Sequence, residues 1–548
     1  MSGIASAHLV VAPVVVPLAA AALMVALRER RRAERAVVSV LSSAACLAVA
    51  IALAVTVDRD GATGVYLPSN WPAPFGIALV ADRLSTMMLV LTSALGLASS
   101  VYATARWQRA GVHFQPLFQV QLMGIHGAFL TADLFNLFVF FEVMLAASYG
   151  LLLHGSGPRR LRSGFHYLAI NLIGSTLFLV GVAMLYGVTG TLNFADMAVK
   201  FGAIPAPDRG LLHAGAAILS LAFLVKAAMW PLGFWLVPAY SSASAPAAAT
   251  FAVMTKVGIY ALLRMGSLFF VDADGNVDRF LAGTLLAGGL ATLAFGTLGL
   301  VASHKLARVA SFAIVASSGT LLAAAGFGLP ALTAGALFYL VLSTVAAATL
   351  FLLAEPVEQT AVPEPAGEEE GALPLLPFGL ERRELTADVN LDDDERALVG
   401  RVFPATAVFV GLAFVASALM VAGLPPLSGF LAKVAMLAAI LAPAEGAAGV
   451  PAPAWAFVAL VILSGLAAAL SLVRSGIRHL WAPTGRPAPR LRLVEGAPIA
   501  ILLAAGVAAV VAAAPAMRYA GDTAASLHDA RGYVGAVMSA RVVAREGS

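Results

Sequence analysis

Charge is scarce in this 548-residue chain: 12% of its residues are Asp, Glu, Lys or Arg, against 60% that are apolar. Soluble domains carry about 25% charged and about 45–50% apolar residues. This deficit, with a mean hydropathy of +0.90, excludes a soluble globular protein, a disordered chain and a secreted disulfide scaffold. Cysteine is scarcer still. Cys46 stands alone, which rules out an intrachain disulfide and a Cys-ligated zinc or iron–sulfur site. Lysine is the third rarity, with five (Lys200, Lys226, Lys256, Lys305 and Lys433) beside 29 arginines. No phosphate loop, zinc-ligand spacing, dinucleotide fingerprint or serine-nucleophile elbow stands in a credible context. Catalysis within the chain, a bound metal or cofactor, and nucleic-acid binding are therefore not expected.

What the chain has is long apolar runs. A spanning helix needs about 20 mainly apolar residues. Runs of that kind fall near 8–27, 37–56, 84–105, 114–131, 133–153, 164–188, 213–238, 245–268, 280–302, 307–326, 330–354, 403–442, 454–473 and 496–515. The expected fold is an all-α polytopic membrane protein of about fourteen spans. The run 403–442 is read as one span broken at Gly423-Leu424-Pro425-Pro426, because two prolines remove two backbone donors. With both termini outside, 21 basic residues collect on one side and nine on the other, so the richer side is read as cytoplasm. The N-terminal run is not read as a signal peptide, since its arginines follow the apolar stretch. The long connection 355–402, with Glu368–Glu370 and Asp392–Glu395, is expected to be a solvated cytoplasmic linker, and the tail at most one interfacial helix.

Four basic residues remain inside the runs: Lys226, Lys256, Lys433 and Arg264. Lysine loses its proton when burial strips its water, whereas arginine effectively never does. Three of five lysines against one of 29 arginines is the pattern of a membrane interior built for protonation chemistry. Arg264 sits near a span end and is expected to snorkel. Glu142 lies nine residues after Asp133, about 13 Å deeper along a helix and on the opposite side of it. Asp133 reads as a helix N-cap. Glu142, flanked by Phe138 and Ala146 four residues away on either side, must be neutral or matched by a cation from another helix, and Lys226 is the natural partner. Intramembrane charges of this kind mark proton or ion paths. Glu142, Lys226, Lys256 and Lys433 are the expected relay, with buried water bridging the gaps. His126, Ser317, Ser318, Ser343 and Thr344 are possible supports of it, although His126 can equally be a structural histidine.

Helix breaks recur in matching places, at Pro231 after Lys226 and at Pro425 and Pro426 before Lys433. Interrupted helices in corresponding positions of inverted halves point to an ion site. Two inverted five-helix repeats are expected, spans 4–8 and 9–13. The corresponding segments are an N-terminal three-helix part (1–110), a first repeat (111–270), a second repeat (271–475) carrying the 355–402 loop, and a C-terminal helix and tail (476–548).

The stretch TADLFNLFVFFEVMLAASYG (131–150) resembles the D subunits of Mrp-type multisubunit sodium/proton antiporters. That family is similar to the antiporter-like membrane subunits of respiratory NADH dehydrogenase. FLVKAAMWPLGFWLVPAY (223–240), ASAPAAATFAVMTKVGIYALLRM (243–265), AGLPPLSGFLAK (422–433) and LHDARGYVGAVM (527–538) extend the resemblance. It implies fourteen helices with two inverted repeats, Glu142, Lys226, Lys256 and Lys433 as the functional charges, and H+ and Na+ as cargo. The other subunits of the Mrp complex and the lipid of a bacterial cytoplasmic membrane are the implied partners. Gly233 and Tyr240 stand where respiratory relatives commonly have histidines, which favours the Mrp branch. A proton-pumping subunit of a redox complex is the alternative, and an inert scaffold the third reading. The eleventh span carries neither charge nor histidine where many relatives do, with Leu342 and Ala347 near those positions. A continuous second-half relay would there need Ser343, Thr344 and water.

Overall fold

The computed structural model describes residues 8–28, 30–107, 111, 113–269, 279–358, 404–442, 449–481 and 491–540. The first half holds α1 (Ala12–Ala26), α2 (Arg32–Asp60), β1 (Gly64–Tyr66), β2 (Leu79–Ala81), α3 (Arg83–Ala103), α4 (Phe114–Leu130), α5 (Leu134–Leu153) and α6 (Pro158–Thr189). After the short α7 (Phe194–Phe201) come α8 (Arg209–Lys226), α9 (Leu236–Ser242) and α10 (Ala245–Phe269). The second half holds α11 (Arg279–Ala302), α12 (Leu306–Phe327), α13 (Pro330–Glu358), α14 (Ala405–Ala422), α15 (Ser428–Leu441), α16 (Ala452–Gly476) and α17 (Leu493–Val511). The tail forms α18 (Ala513–His528) and α19 (Arg531–Met538).

Every expected span carries a helix, and twelve described helices are long and apolar enough to cross a membrane. The count by that measure is twelve, not fourteen, because α1 has 15 residues and α4 has 17. At helical rise these measure about 22 and 25 Å, less than the roughly 30 Å hydrocarbon core. Helix α13 runs on to Glu358, so the connection expected from residue 355 starts later. The acidic runs of that connection lie outside the described residues. The tail forms two helices where at most one was expected, since Tyr519, Tyr533 and Val537 find packing partners in the body of the protein.

Sequence explains where the helices start. The Asp82 side chain accepts from the Ser85 backbone at 2.9 Å while the Ser85 hydroxyl receives the Asp82 N–H at 2.8 Å, a reciprocal cap on α3. Asp133 caps α5 in the expected way, accepting from Asn136 N at 2.8 Å. Lipid tails offer no hydrophobic force between helices, so close approach of small residues must supply van der Waals packing. The α11–α12 hairpin does this: a Cβ on Gly289 or Gly319 would stand 2.3 Å from backbone nitrogen of the facing helix. Helices α10, α12 and α13 are the most enclosed and form the centre, whereas α2, α14 and α17 turn most of their surface outward.

The two ends of the bundle differ. At one, β1 pairs antiparallel with β2, His8 packs edge-on to Tyr66, and α18 and α19 fold over the helix ends. Both described chain ends therefore share this face. Arg264 is also there, and it does not snorkel. It is buried and paired with Asp82 at 2.7 Å, with its guanidinium 4.7 Å above the Tyr533 ring. The tail covers the position an arginine would use to reach water, so the charge is matched internally instead. At the opposite face Arg106 pairs with the buried Glu495 at 2.7 Å, and Trp107 donates to Glu355 at 3.0 Å.

Candidate functional site

The break after α8 positions Lys226. The helix stops at Lys226 itself, five residues ahead of the expected break at Pro231. Proline clashes with the carbonyl four residues back and disfavours helix in the residue before it, so its effect reaches to Ala227. Ala228 takes a left-handed φ of 57°. The freed backbone groups find partners: Trp235 donates to Val225 O at 3.3 Å, and Trp230 N donates to Thr292 on α11 at 2.8 Å. Lys226 thus sits at a helix C-terminus, where the macrodipole favours a cation.

Glu142 and Lys226 come together as expected, but not as a direct ion pair. Ser175 of α6 stands between them, donating its hydroxyl to Glu142 Oε1 and accepting from Lys226 Nζ at 3.4 Å. Lys226 also donates to Asn171 O at 3.3 Å and Asn171 Oδ1 at 3.2 Å. Lys226 is buried; Glu142 is half-buried within this chain. Phe141, Phe178 and Phe223 pack on one another around the cluster and keep it apolar on that side. Asn171 and Ser175 escaped the sequence reading. Their signal was an amide and a hydroxyl four residues apart, hence on one face, within an otherwise apolar span.

Lys256 forms a second cluster. Its Nζ donates to Ser317 of α12 at 3.0 Å, Ser317 and Ser343 of α13 share a hydrogen bond of 2.9 Å, and Ser343 donates to Leu340 O at 3.3 Å. The donors run in one direction from ammonium to carbonyl, and each hydroxyl both accepts and donates. Thr344 turns instead to Leu340 O at 2.6 Å, and the buried Ser318 hydroxyl has no protein partner among the described residues. Gly258 brings this cluster beside the first. A Cβ there would stand 2.8 Å from Ala227 N, so α10 lies directly against the break that presents Lys226.

Lys433 occupies the second break. Where one broken span was expected over 403–442, α14 and α15 are separate helices joined through Gly423, Pro425 and Pro426. Gly423 adopts a φ of 71°, a left-handed turn that suits glycine, and closes α14 through Leu419 O at 3.0 Å. Lys433 reaches back from α15 to donate to Ala422 O at 2.8 Å, again at a helix C-terminus. Gly465 of α16 leaves room for it, since a Cβ would lie 3.0 Å from Nζ.

His126 belongs to neither cluster. Its Nδ1 lies 2.9 Å from Pro13 O and its Nε2 3.0 Å from Ser93 Oγ. A carbonyl only accepts, so Nδ1 carries a proton, and the ring ties α4 to α1 and α3. Among the described residues no hydrogen bond or ion pair joins the Lys226, Lys256 and Lys433 sets. No group of three or more His, Cys, Asp or Glu suited to a metal occurs among them either.

Residues 131–370 match the family model described as NADH:quinone oxidoreductase/Mrp antiporter, TM. The D subunit of a probable K(+)/H(+) antiporter of Rhizobium meliloti (strain 1021) is 47% identical over 95% of both chains. This chain belongs to the family of Mrp-type antiporter D subunits. Another relative, the D subunit of the Na(+)/H(+) antiporter of Alkalihalophilus pseudofirmus (strain ATCC BAA-2126 / JCM 17055 / OF4), is 32% identical over 97% of this chain and 99% of its own. The fold matches a chain in the structure of the Mrp complex from Dietzia sp. DQ12-45-1b with a TM-score of 0.79, at 26% identity and over 98% and 100% of the two chains. Membership of this family places the chain among polytopic membrane transporter subunits.

Proposed function

We propose that this chain is the proton-translocating subunit of a multisubunit monovalent-cation/proton antiporter, assembled with the other Mrp subunits in a bacterial cytoplasmic membrane. The observation that carries the reading is the Glu142–Ser175–Lys226 bridge, an acid and a base joined through one hydroxyl beside a broken helix. A proton on Lys226 is stabilised by the carboxylate; moving the carboxylate away releases it toward Lys256 on the adjacent helix. The Lys256–Ser317–Ser343 file extends the route toward the second half, where Lys433 waits at the second break. Water would complete the gaps between the three sets. The exchanged cation is Na+ in this reading; the name of the Rhizobium relative makes K+ the competing cargo. By the positive-inside rule the face carrying both described chain ends lies outside the cell.

The test is cation-driven proton movement in everted vesicles of the whole complex, with Na+ and K+ in parallel. Glu142→Gln and Lys226→Ala are expected to abolish exchange while the complex still assembles. Normal exchange in an assembled Glu142→Gln complex would refute the relay and favour a scaffold role.

A further inference from the structure

Above the Lys256 cluster, toward the tail-bearing face, the three central helices do not close. Two cavities lie there, of about 50 and 10 Å³, and both are lined by Leu263 of α10, Ala325 of α12 and Thr333 of α13. The larger opens between Gly266, Ser267 and His528, the last residue of tail helix α18. The smaller reaches down to Ile259, Leu321 and Leu340.

The helical registers show where the gap leads. Ile259, Leu263 and Gly266 follow Lys256 by three, seven and ten residues, along one face of α10. Leu321 and Ala325 follow Ser317 by four and eight on α12, and Leu340 precedes Ser343 by three on α13. The three faces that hold the Lys256–Ser317–Ser343 file are therefore the faces that line the cavities. Ten residues of helix separate Lys256 from the mouth, about 15 Å, with roughly one turn of apolar side chains between the smaller cavity and the lysine.

We propose that this gap is the route by which protons pass between Lys256 and the tail-bearing face, with His528 and Thr333 as its gate. The proposal rests on the relay reading of Lys256 and adds its access path. A volume of about 50 Å³ holds several waters where each needs about 10–15 Å³, whereas the smaller cavity is apolar apart from Thr333 and forms the dry step of the route. His528 Nε2 and Thr333 Oγ1 lie 3.2 Å apart across the mouth, joining the tail to α13. Ser318, three residues before Leu321 on α12, adds a buried hydroxyl without a protein partner among the described residues, which a bridging water would satisfy. Partial burial holds the His528 pKa below that of free imidazole, which favours the neutral ring, the form with one nitrogen to accept and one to donate. In the transfer, the Lys256 ammonium gives one proton to the hydroxyl and water file and becomes an amine; the file releases one proton at the mouth, and the relay reprotonates the amine.

The test separates access from transport. Cys46 is buried and the single cysteine, so Cys46→Ala removes every native thiol from this chain, and an introduced thiol is then read on the chain's own band. In that variant, Leu337→Cys places a thiol on the smaller cavity. Silver ions are applied to vesicles of the whole complex from either face, and the remaining thiol is counted with a maleimide after unfolding. The thiol is expected to be consumed from the tail-bearing face. Gly266→Leu plugs the mouth, because a Cβ at Gly266 meets nothing within 4 Å and the side chain fits without moving backbone. It is expected to protect the thiol and to eliminate exchange, while Gly266→Ala keeps both near the parent. A thiol unreactive from the tail-bearing face overturns the proposal even if the plugged variant fails to assemble. So does a plug that protects the thiol but leaves exchange intact. Failure of the relay reading is distinguishable: it would show in Glu142→Gln without changing thiol reactivity.

Discussion

Removing the Ser175 hydroxyl is the sharpest perturbation of the site, because it leaves both charges in place. In Ser175→Ala the carboxylate of Glu142 loses its donor and Lys226 loses one of three acceptors, the other two being the oxygens of Asn171. Hydrogen bonds to charged groups contribute about 1.5–3 kcal/mol net. If the bridge is needed for proton passage between the two residues, that energy appears in the barrier, and about 1.4 kcal/mol corresponds to tenfold in rate. Exchange should fall roughly 10- to 100-fold. Folding should suffer little, since the Asn171 contacts still hold Lys226 and the deleted atom leaves a space one oxygen wide. Ser175→Thr restores a hydroxyl on the same helix face and should recover most of the rate. The assay is Na+- or K+-dependent proton movement followed with a pH-sensitive dye in everted vesicles, normalised to assembled complex. Wild-type exchange in Ser175→Ala would show that Glu142 and Lys226 communicate without it, and the bridge would then be packing.

Three further outcomes follow from the geometry. Lys256→Arg should lose most exchange with normal assembly, because arginine keeps its proton and cannot feed the Ser317–Ser343 file; full activity by the same dye assay would reduce Lys256 to a fixed charge. Gly465→Leu should displace Lys433 from Ala422 O and abolish exchange, checked against complex assembly on native gels. Asp82→Asn should destabilise the purified complex by about 3–5 kcal/mol by leaving Arg264 buried and unmatched. Pairing it with Arg264→Met should recover much of that loss, which thermal unfolding in detergent reads directly.

The intramembrane charges were legible in the sequence because lipid makes them conspicuous. Glu142 and Lys226 announce themselves as ionic groups in apolar runs, and the structure brings them to one place. Ser175 and Asn171 carry no charge, and spanning helices tolerate such residues, so nothing in their own stretch separated a bridge from ordinary packing. Arg264 was misread for a related reason. Its nearness to a span end is visible locally, whereas the Asp82 and Tyr533 that enclose it arrive from about 180 residues before and 270 after. The breaks were foreseen from proline, but the stop at Lys226 depended on how far strain from Pro231 propagates and on which groups take up the freed carbonyls.

By itself the sequence determined that the chain is a membrane protein, where nearly all its helices lie, which ones break, and which lysines and glutamate are left inside. These are properties of single segments, decided by the cost of exposing backbone and charge to lipid. Tertiary structure decided the rest. It inserts a serine between the acid and its lysine, lays α10 across the first break, aligns Ser317 and Ser343 with Lys256, and seats the tail over Arg264. Hydrogen bonds act over about 3 Å, and only packing brings atoms from distant segments within that reach.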